Sequence, residues 1–407
     1  MSFLSSLFAA LAVAGQPAAG PVTIFASRVL DGKGGQLKNA TVVVDRGRIL
    51  RVEPFKVDRP TYDFTGGTVM PGLIDIHVHA TAYLNRQGRM HTAADGDTPV
   101  QAGYAAAANS YRTLLAGFTT VASIGAAEDK DLRDWIGRGE VPGPRIMTSL
   151  EPIADPSLSE AQLREEVGRR VDSGADLIKL FASKSIRDGG AQTMSEAQLR
   201  AACGEAKRRG VPSIVHAHSA ASIKAAVLAG CHQIEHGVFA DKEVIDLMVR
   251  EGTFFGPQCS LVFRNYLENR QRFEGLGNFT AEGFAAMEKA IPLAVAVTRM
   301  AAATGGLQLV YGTDAVAGAH GRNADDLLCR VRQAGQRPMD AIIAATSRNA
   351  LALGIAKETG SIGAGLAADL IAVVGNPLEN IEAMGRVSFV MRGGRVYRHV
   401  PSGVTAP

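Results

Sequence analysis

Short apolar segments alternate with longer amphipathic segments through the middle of the chain. One amphipathic segment, 195–209, begins with Ser195 and Gln198 in a capping-box pattern, and Gly210 follows its end. This alternation predicts an α/β fold of βα units with parallel strands, and eight such strands close a (β/α)₈ TIM barrel. The eight predicted strands are 73–79, 119–124, 145–149, 176–182, 213–218, 233–236, 253–257 and 307–314.

Both ends of the chain contain short β-rich segments separated by turn residues. They lie at 23–29, 40–44 and 48–52 near one end and at 369–374, 388–391 and 395–397 near the other. We expect the two ends to pair into one small, discontinuous β-sandwich domain. It would comprise residues 21–69 and 362–400, with residues 70–361 forming the barrel, and the 407-residue length fits this division.

Composition and charge exclude several classes of protein. With 46% hydrophobic and 20% charged residues, the chain has the composition of an ordinary globular protein. Its net charge is only +3 and no basic run is interleaved with aromatic residues, so we expect no nucleic-acid partner. The four cysteines contain no C-x-x-C pair, which predicts buried core residues without disulfides. They are Cys203, Cys231, Cys259 and Cys329.

The first twenty residues resemble a signal peptide. An apolar run over 3–14 ends in Ala-Val-Ala, which is similar to a cleavage site, although no Lys or Arg precedes Arg28. The run is too short to span a bilayer, so we expect no membrane span. The pattern favours an exported or periplasmic protein, and a cytoplasmic protein with an unstructured or docked tail is the alternative.

Polar residues occur where the predicted central strands end. Strand one ends in His77 and His79, which the two-residue strand period places on the same face. Further polar residues of this kind are Lys179, His216, His218, His236 and Asp314. A single histidine at a strand end is more often structural. However, a dry barrel mouth would not bury so many polar groups unpaired, so together they predict a metal site at the C-terminal face.

The motifs that carry these residues resemble the amidohydrolase superfamily. They are 71–79 (PGLIDIHVH), 178–179 (IK), 216–218 (HAH), 234–237 (IEHG) and 312–315 (GTDA), with a tail at 360–363 (GSIG) and 368–370 (ADL). The resemblance is greatest to the imidazolonepropionase-like branch, with its prolidase-type dipeptidases and ochratoxin amidases. It implies that His77, His79 and Asp314 bind one divalent metal and that His216 and His236 bind a second.

The same resemblance implies that Lys179 bridges the two metals as an N-carboxylated lysine. Burial in an apolar strand lowers the pKa of a lysine, and the neutral amine can then add carbon dioxide. A salt-bridged or snorkelling Lys179 is the alternative. Nitrogen ligands combined with carboxylates suit zinc best.

The resemblance implies hydrolysis of an amide bond, in a dipeptide or N-acyl amino acid, by metal-activated hydroxide. Asp314 would shuttle the proton and His218 would stabilise the oxyanion. Alternative substrates are a cyclic amide and a lipophilic amide such as ochratoxin, and a catalytically silent binding barrel is the non-enzyme alternative. The sequence leaves open whether the chain forms a homo-oligomer.

Substrate contacts are predicted from loops that follow the strands. A substrate carboxylate would need a cation, although a solvated surface charge is the alternative for each candidate. The candidates are Tyr83, Lys184, Arg187, Arg264, His320 and Arg322. The segment 263–290 contains Tyr266, Phe273 and Phe279, which would either form a cap over the site or pack in the core.

Overall fold

The computed structural model describes residues 20–401. Its strands are β1 (Val22–Leu30), β2 (Gln36–Asp45), β3 (Arg48–Glu53), β4 (Tyr62–Pro71), β5 (Leu73–Val78), β6 (Phe118–Ser123), β7 (Arg145–Thr148), β8 (Ile178–Phe181), β9 (Ser213–Ser219), β10 (Gln233–Phe239), β11 (Phe254–Gly256), β12 (Gln308–Leu309), β13 (Leu370–Val374), β14 (Val387–Arg392) and β15 (Arg395–His399). Its helices are α1 (Pro99–Leu115), α2 (Asp129–Gly137), α3 (Glu160–Asp172), α4 (Glu196–Arg208), α5 (Ala220–Leu228), α6 (Lys242–Glu251), α7 (Leu261–Glu268), α8 (Arg270–Phe273), α9 (Ala281–Ala303), α10 (Ala324–Arg332), α11 (Pro338–Ile343) and α12 (Asn349–Ala352).

Strands from both ends of the described chain form one seven-stranded sheet. Its order is β15-β14-β13-β4-β1-β2-β3, and β13 joins the two ends by pairing antiparallel with β4. One core of apolar side chains, including Ile24, Val42, Leu370 and Phe389, holds these strands together. The sequence patterns did not predict β4, because Gly66 and Gly67 interrupt its apolar pattern.

The central strands are parallel and form two sheets, β5-β6-β7 and β12-β11-β10-β9-β8. Single parallel bridges link their edges, from Val78 to Ala315 and from Ile153 to Leu180. The α/β class is therefore confirmed. The hydrogen-bonded strands, however, form two sheets where the sequence predicted one continuous closed barrel.

The last central strand is much shorter than its predicted range of 307–314, since β12 covers only Gln308–Leu309. Side chains replace strand partners beyond this point. Asn349 accepts from the Tyr311 N–H at 2.9 Å and donates to the Tyr311 carbonyl at 2.6 Å. The Asp75 carboxylate accepts from the Thr313 N–H at 3.1 Å. The chain can therefore leave the sheet before Asp314 without losing backbone hydrogen bonds.

Helix α4 shows how the local sequence sets the helix ends. The Ser195 hydroxyl accepts from the Gln198 N–H at 3.2 Å, and the Gln198 side chain accepts from the Ser195 N–H at 2.8 Å. This is the predicted capping box. The buried face of the helix includes Leu199, Ala202 and Ala206, which pack in the larger core beneath the five-stranded sheet.

The four cysteines are buried as predicted, but the expectation that they form no disulfides was wrong, because they form two. Cys203 bonds to Cys231 with a Cα–Cα distance of 5.0 Å, and Cys259 bonds to Cys329 with a Cα–Cα distance of 6.0 Å. The partners are 28 and 70 residues apart in sequence, and folding brings them together between packed helices and strand ends. Sequence spacing alone gives no sign of such long-range pairs. Disulfides of this kind persist mainly in oxidising compartments.

None of the helices within residues 20–401 is both long and apolar enough to cross a bilayer. The segment that resembles a signal peptide lies outside the described residues, apart from its last position. The prediction of export therefore stays a prediction.

Candidate active site

The H-x-H motif lies at the end of β5, with both rings facing the space between the parallel sheets. Because the Glu235 carboxylate can only accept, the His77 Nδ1–H donates to it at 2.7 Å. This fixes the tautomer of His77 and leaves the Nε2 lone pair free. The Nε2 atoms of His77 and His79 lie 3.4 and 3.0 Å from Asp314 Oδ1. These three side chains form a group that could hold a metal ion.

Asp314 reaches this group through an unusual backbone conformation. Its φ is 55°, in the left-handed region that residues other than glycine rarely adopt, although Asp tolerates it better than most. Burial alone would raise the pKa of Asp314, but the neighbouring His77 and His79 outweigh burial and lower the pKa to about 2. The carboxylate is therefore anionic at neutral pH and suited to binding a cation.

A second group consists of His216 and His218 from β9 and His236 from β10, with ligand atoms within 4.8 Å of one another. Nε2 of His216 donates to the Lys184 carbonyl at 3.3 Å, which leaves its Nδ1 as the free ligand atom. Burial lowers the pKa of His218 to about 3 and lowers the pKa values of His216 and His236 well below their ordinary value. Neutral imidazoles are the form that binds metals.

Lys179 lies beside these groups on β8 and is almost completely buried. Its Nζ is 3.5 Å from His77 Nε2 and 5.4 Å from the centre of the Phe181 ring. Burial lowers the pKa of Lys179 to about 8, against the opposing effect of Glu235 and Asp314. A substantial fraction of this amine is therefore uncharged in mildly alkaline water.

The two histidine groups and Lys179 line a single cavity of about 150 Å³. The wall opposite the histidines is formed by the loop after β8 and by helix α7, which supplies Val262, Phe263 and Tyr266. Imidazole, carboxylate and amine groups therefore face a partly apolar wall. The complete lining is His77, His79, Lys179, Phe181, Ser185, Ile186, Arg187, His216, His218, His236, Val262, Phe263, Tyr266 and Asp314.

Arg187 is the one guanidinium in the lining of this cavity within residues 20–401. It lies over the Phe279 ring at 4.1 Å from the ring centre, and its Nε donates to Asn278 Oδ1 at 2.7 Å. No Asp or Glu of the described chain forms an ion pair with it, and the adjacent Asp188 accepts from Asn278 Nδ2 at 2.5 Å. The guanidinium is therefore fixed in place while its charge stays available to an anion.

The other predicted substrate contacts lie elsewhere. Tyr83 and His320 line a separate groove, where the Tyr83 hydroxyl donates to Asp97 at 3.3 Å. Lys184 and Arg264 have exposed side chains that are not part of the cavity lining. Arg322 is paired with acidic neighbours at 2.8 and 3.1 Å. Loop position in the sequence did not show which side chains turn towards the cavity.

Glu235 is the important residue that strand periodicity missed. Adjacent residues of a strand normally point to opposite faces, so Glu235 and His236 should not both face the interior. The φ of His236 is 72°, and the register of β10 shifts after it, which lets both side chains point inwards. The adjacent Gly237, also at positive φ, was the only hint of this irregularity in the sequence.

Comparison with known proteins identifies the family of the chain. Residues 68–397 match the amidohydrolase family over most of the chain. The chain belongs to the amidohydrolase family. It is accordingly a hydrolase that acts on carbon–nitrogen bonds, and the resemblance seen in the motifs is confirmed.

Similar proteins support the predicted branch. Ochratoxinase of Aspergillus niger is 28% identical over an alignment of 444 residues. The alignment covers 95% of this chain and 89% of that protein. The crystal structure of a Xaa-Pro dipeptidase with bound methionine in its active site superposes with a TM-score of 0.82 at 29% identity, covering 93% of this chain and 100% of that one. The crystal structure of A. niger ochratoxinase gives a TM-score of 0.77 at 24% identity, over 93% and 96% of the two chains, and shares the fold.

Proposed function

We propose that this amidohydrolase uses two divalent metal ions to cleave the amide bond of a dipeptide or an N-acyl amino acid. The observation that carries the proposal is the convergence of two groups of metal donors and Lys179 on one cavity with an available guanidinium. In this proposal the two parallel sheets are arcs of the (β/α)₈ barrel of the superfamily, with the site at the C-terminal ends of their strands.

The donor set fits the metals that the family implies. His77, His79 and Asp314 would hold one ion, and His216 and His236 would hold the other. The imidazoles of His77, His216 and His236 are buried with pKa values lowered towards the neutral form, and Nε2 of the half-buried His79 lies 3.0 Å from the Asp314 carboxylate. Three or more nitrogen donors with a carboxylate suit zinc better than magnesium or calcium.

Lys179 would supply the bridging ligand after N-carboxylation. Its neutral amine adds to the carbon of carbon dioxide and loses one proton, which leaves an anionic carbamate on Nζ. Lys179 Nζ lies 3.5 Å from Nε2 of His77, a proposed metal ligand. At this distance a metal would repel a positively charged ammonium, whereas an anionic carbamate would be attracted to it. A neutral or carboxylated form of Lys179 is therefore the form compatible with loaded metals.

For the hydrolysis itself, the metals would supply a water that is deprotonated near neutral pH and would polarise the scissile carbonyl. Asp314 would accept the proton of that water and pass it to the leaving amine, because its carboxylate is anionic and borders the cavity. His218 would donate to the developing oxyanion. Its buried Nδ1 has no hydrogen-bond partner among residues 20–401, so its hydrogen-bonding capacity is not fully used within the protein.

Two roles of His218 can be tested against each other, oxyanion donor and metal ligand, because its nitrogens also lie close to those of His216 and His236. For His218→Asn we expect a fall in kcat of about 100-fold with unchanged metal content, as for the loss of one oxyanion donor. A variant that instead loses one equivalent of metal would make His218 a ligand. Metal analysis alongside steady-state kinetics distinguishes the two.

Arg187 would bind the carboxylate next to the scissile bond. A cavity of about 150 Å³ is smaller than most ligand pockets, which favours a small amide over a bulky one. Arg187→Met should raise KM by about 10- to 100-fold for substrates with a free carboxylate, since a charged hydrogen bond contributes about 1.5–3 kcal/mol. The effect should vanish for the same substrates capped as carboxamides. Arg264→Met, which changes an exposed arginine on α7 outside the cavity, is the matched control.

Metal dependence is tested by removing the ions. Dialysis against a chelator should abolish hydrolysis, and adding back zinc should restore it at two equivalents per chain. A purified, folded and metal-free protein would instead favour a catalytically silent barrel. Full turnover after the ions have been removed would contradict the proposal directly.

The similarity to ochratoxinase favours a second candidate, a lipophilic amide. A panel of dipeptides, N-acyl amino acids, cyclic amides and ochratoxin-like amides would rank these by kcat/KM. Activity confined to cyclic amides would remove the dipeptidase proposal, because such substrates need no free carboxylate beside the bond.

A further inference from the structure

Glu235 lies at the centre of the parallel strands, directly behind the first metal group. Its side chain is completely buried, and its carboxylate is in contact with donors on three sides. Oε2 accepts from His77 Nδ1 at 2.7 Å and from Gln258 Nε2 at 2.5 Å, while Oε1 accepts from Gln233 Nε2 at 2.5 Å. All three contacts use the carboxylate oxygens as acceptors.

The surrounding backbone leaves space for this carboxylate and for little else. A Cβ atom on Gly256 would lie 2.2 Å from Glu235 Oε1, and a Cβ atom on Gly312 would lie 3.2 Å from Oε2 and 2.9 Å from His77 Cβ. Glycine therefore occupies both positions, 256 and 312, at which a side chain would meet the carboxylate or His77. A side chain at either position would displace the carboxylate or the histidine, since such distances are shorter than van der Waals contacts.

Two glutamines, Gln233 and Gln258, direct their amide nitrogens towards the Glu235 carboxylate. Their buried Oε1 atoms have no hydrogen-bond partner in the part of the chain that the structure describes. Leaving a buried acceptor unpaired is unfavourable. The arrangement therefore stabilises a negative charge at Glu235 in preference to satisfying the amides.

We propose that Glu235 is a positioning residue that sets the affinity and geometry of the first metal site through His77. By accepting the Nδ1–H, its carboxylate holds the ring in the tautomer that presents Nε2 towards His79 and Asp314, and it raises the basicity of that nitrogen. The inference rests on the proposed metal-dependent function.

The experiment measures metal affinity, not only activity. Glu235→Gln keeps the volume of the side chain and removes its charge, and Gln258→Met removes one donor to the carboxylate while leaving Glu235 in place. Asp326→Asn is the matched control, because Asp326 is an equally buried carboxylate that accepts from the N–H groups of residues 259–261 and touches none of the histidines. Zinc affinity is titrated for each apo-protein against a chromophoric chelator, and the visible spectrum of the cobalt(II) form reports the ligand geometry.

We expect Glu235→Gln to weaken one of the two zinc sites by about 10- to 100-fold, with a changed cobalt(II) spectrum, and Gln258→Met to weaken it less. Asp326→Asn should leave both affinities unchanged. Affinities for Glu235→Gln within twofold of the parent, or a loss no larger than in the control, would overturn the inference. Should Glu235→Gln fail to fold, an unchanged affinity in Gln258→Met would overturn it as well. A parent protein that binds no zinc would instead refute the proposed function itself.

Discussion

The disulfide between Cys259 and Cys329 should matter for substrate binding, whereas the one between Cys203 and Cys231 should matter only for stability. Cys259 lies two residues before α7, the helix that supplies Phe263 and Tyr266 to the cavity wall, and Cys329 anchors it to α10. The Cys203–Cys231 bridge lies near the N-terminal ends of β9 and β10, at the end of the strands opposite to the histidines. Two double variants, Cys259→Ala with Cys329→Ala and Cys203→Ala with Cys231→Ala, separate these roles.

The two variants should lose similar amounts of stability. From the chain entropy of loops of 70 and 28 residues, the bridges contribute about 4.4 and about 3.6 kcal/mol, so the two losses differ by less than about 1 kcal/mol. The KM values of the two variants should differ much more than their stabilities. Fixing each of Phe263 and Tyr266 before substrate arrives saves about 0.5–1.5 kcal/mol, so releasing both costs about 1–3 kcal/mol, or roughly 5- to 150-fold in KM.

The assay compares denaturant unfolding with steady-state kinetics for both variants at saturating metal. A thiol titration of the denatured parent without reductant should first find no free cysteine. A KM that rises only when the Cys259–Cys329 bridge is absent supports the role of this bridge in holding α7. Equal KM values in the two variants would refute the reasoning, as would a rise caused by removing the Cys203–Cys231 bridge alone.

Two further predictions concern single side chains. Lys179→Ala should lower zinc content and reduce kcat by at least about 100-fold, and added acetate should restore part of both, because a free carboxylate can occupy the place of the carbamate; no recovery with acetate would count against N-carboxylation. Burial lowers the pKa of His320 to about 4. As the pH falls below 6.5, the unfolded chain therefore binds a proton before the folded chain does. The free energy of unfolding should fall by up to about 3 kcal/mol between pH 6.5 and 4. His320→Gln should flatten the pH dependence of denaturant unfolding over that range, and an unchanged slope would contradict this origin.

Two histidine pairs of the candidate site could be predicted from sequence because they obey strand geometry. His77 and His79, like His216 and His218, are two residues apart on apolar strands, and a period of two puts each pair on one face. The parallel arrangement then brings their C-terminal ends together. The eight central strands were predicted within a few residues, except for the last, where side-chain hydrogen bonds replace a strand partner, whereas β4 of the seven-stranded sheet was not predicted.

The features that could not be predicted depend on contacts between distant segments. Arg187 faces the cavity because Phe279 and Asn278, about ninety residues later, hold its guanidinium. The cysteines are paired through packed helices and not through a local motif. Candidate residues on loops, such as Lys184 and Arg264, had the right charge and approximate position, but nothing in the local sequence specifies the direction of a loop side chain.

Backbone conformation explains why two departures from regular strands, the inward turn of Glu235 and the early end of β12, occur beside the proposed metal ligands. Only six residues other than glycine have positive φ within residues 20–401, and His236 and Asp314 are two of them. Such a conformation costs about 1–3 kcal/mol and persists where surrounding contacts determine it. At His236 it turns Glu235 inwards as well, and at Asp314 it takes the carboxylate out of strand alternation towards His77 and His79. Patterns built on regular periods fail at both positions for the same physical reason: the backbone leaves the regular strand where donors from different strands have to converge.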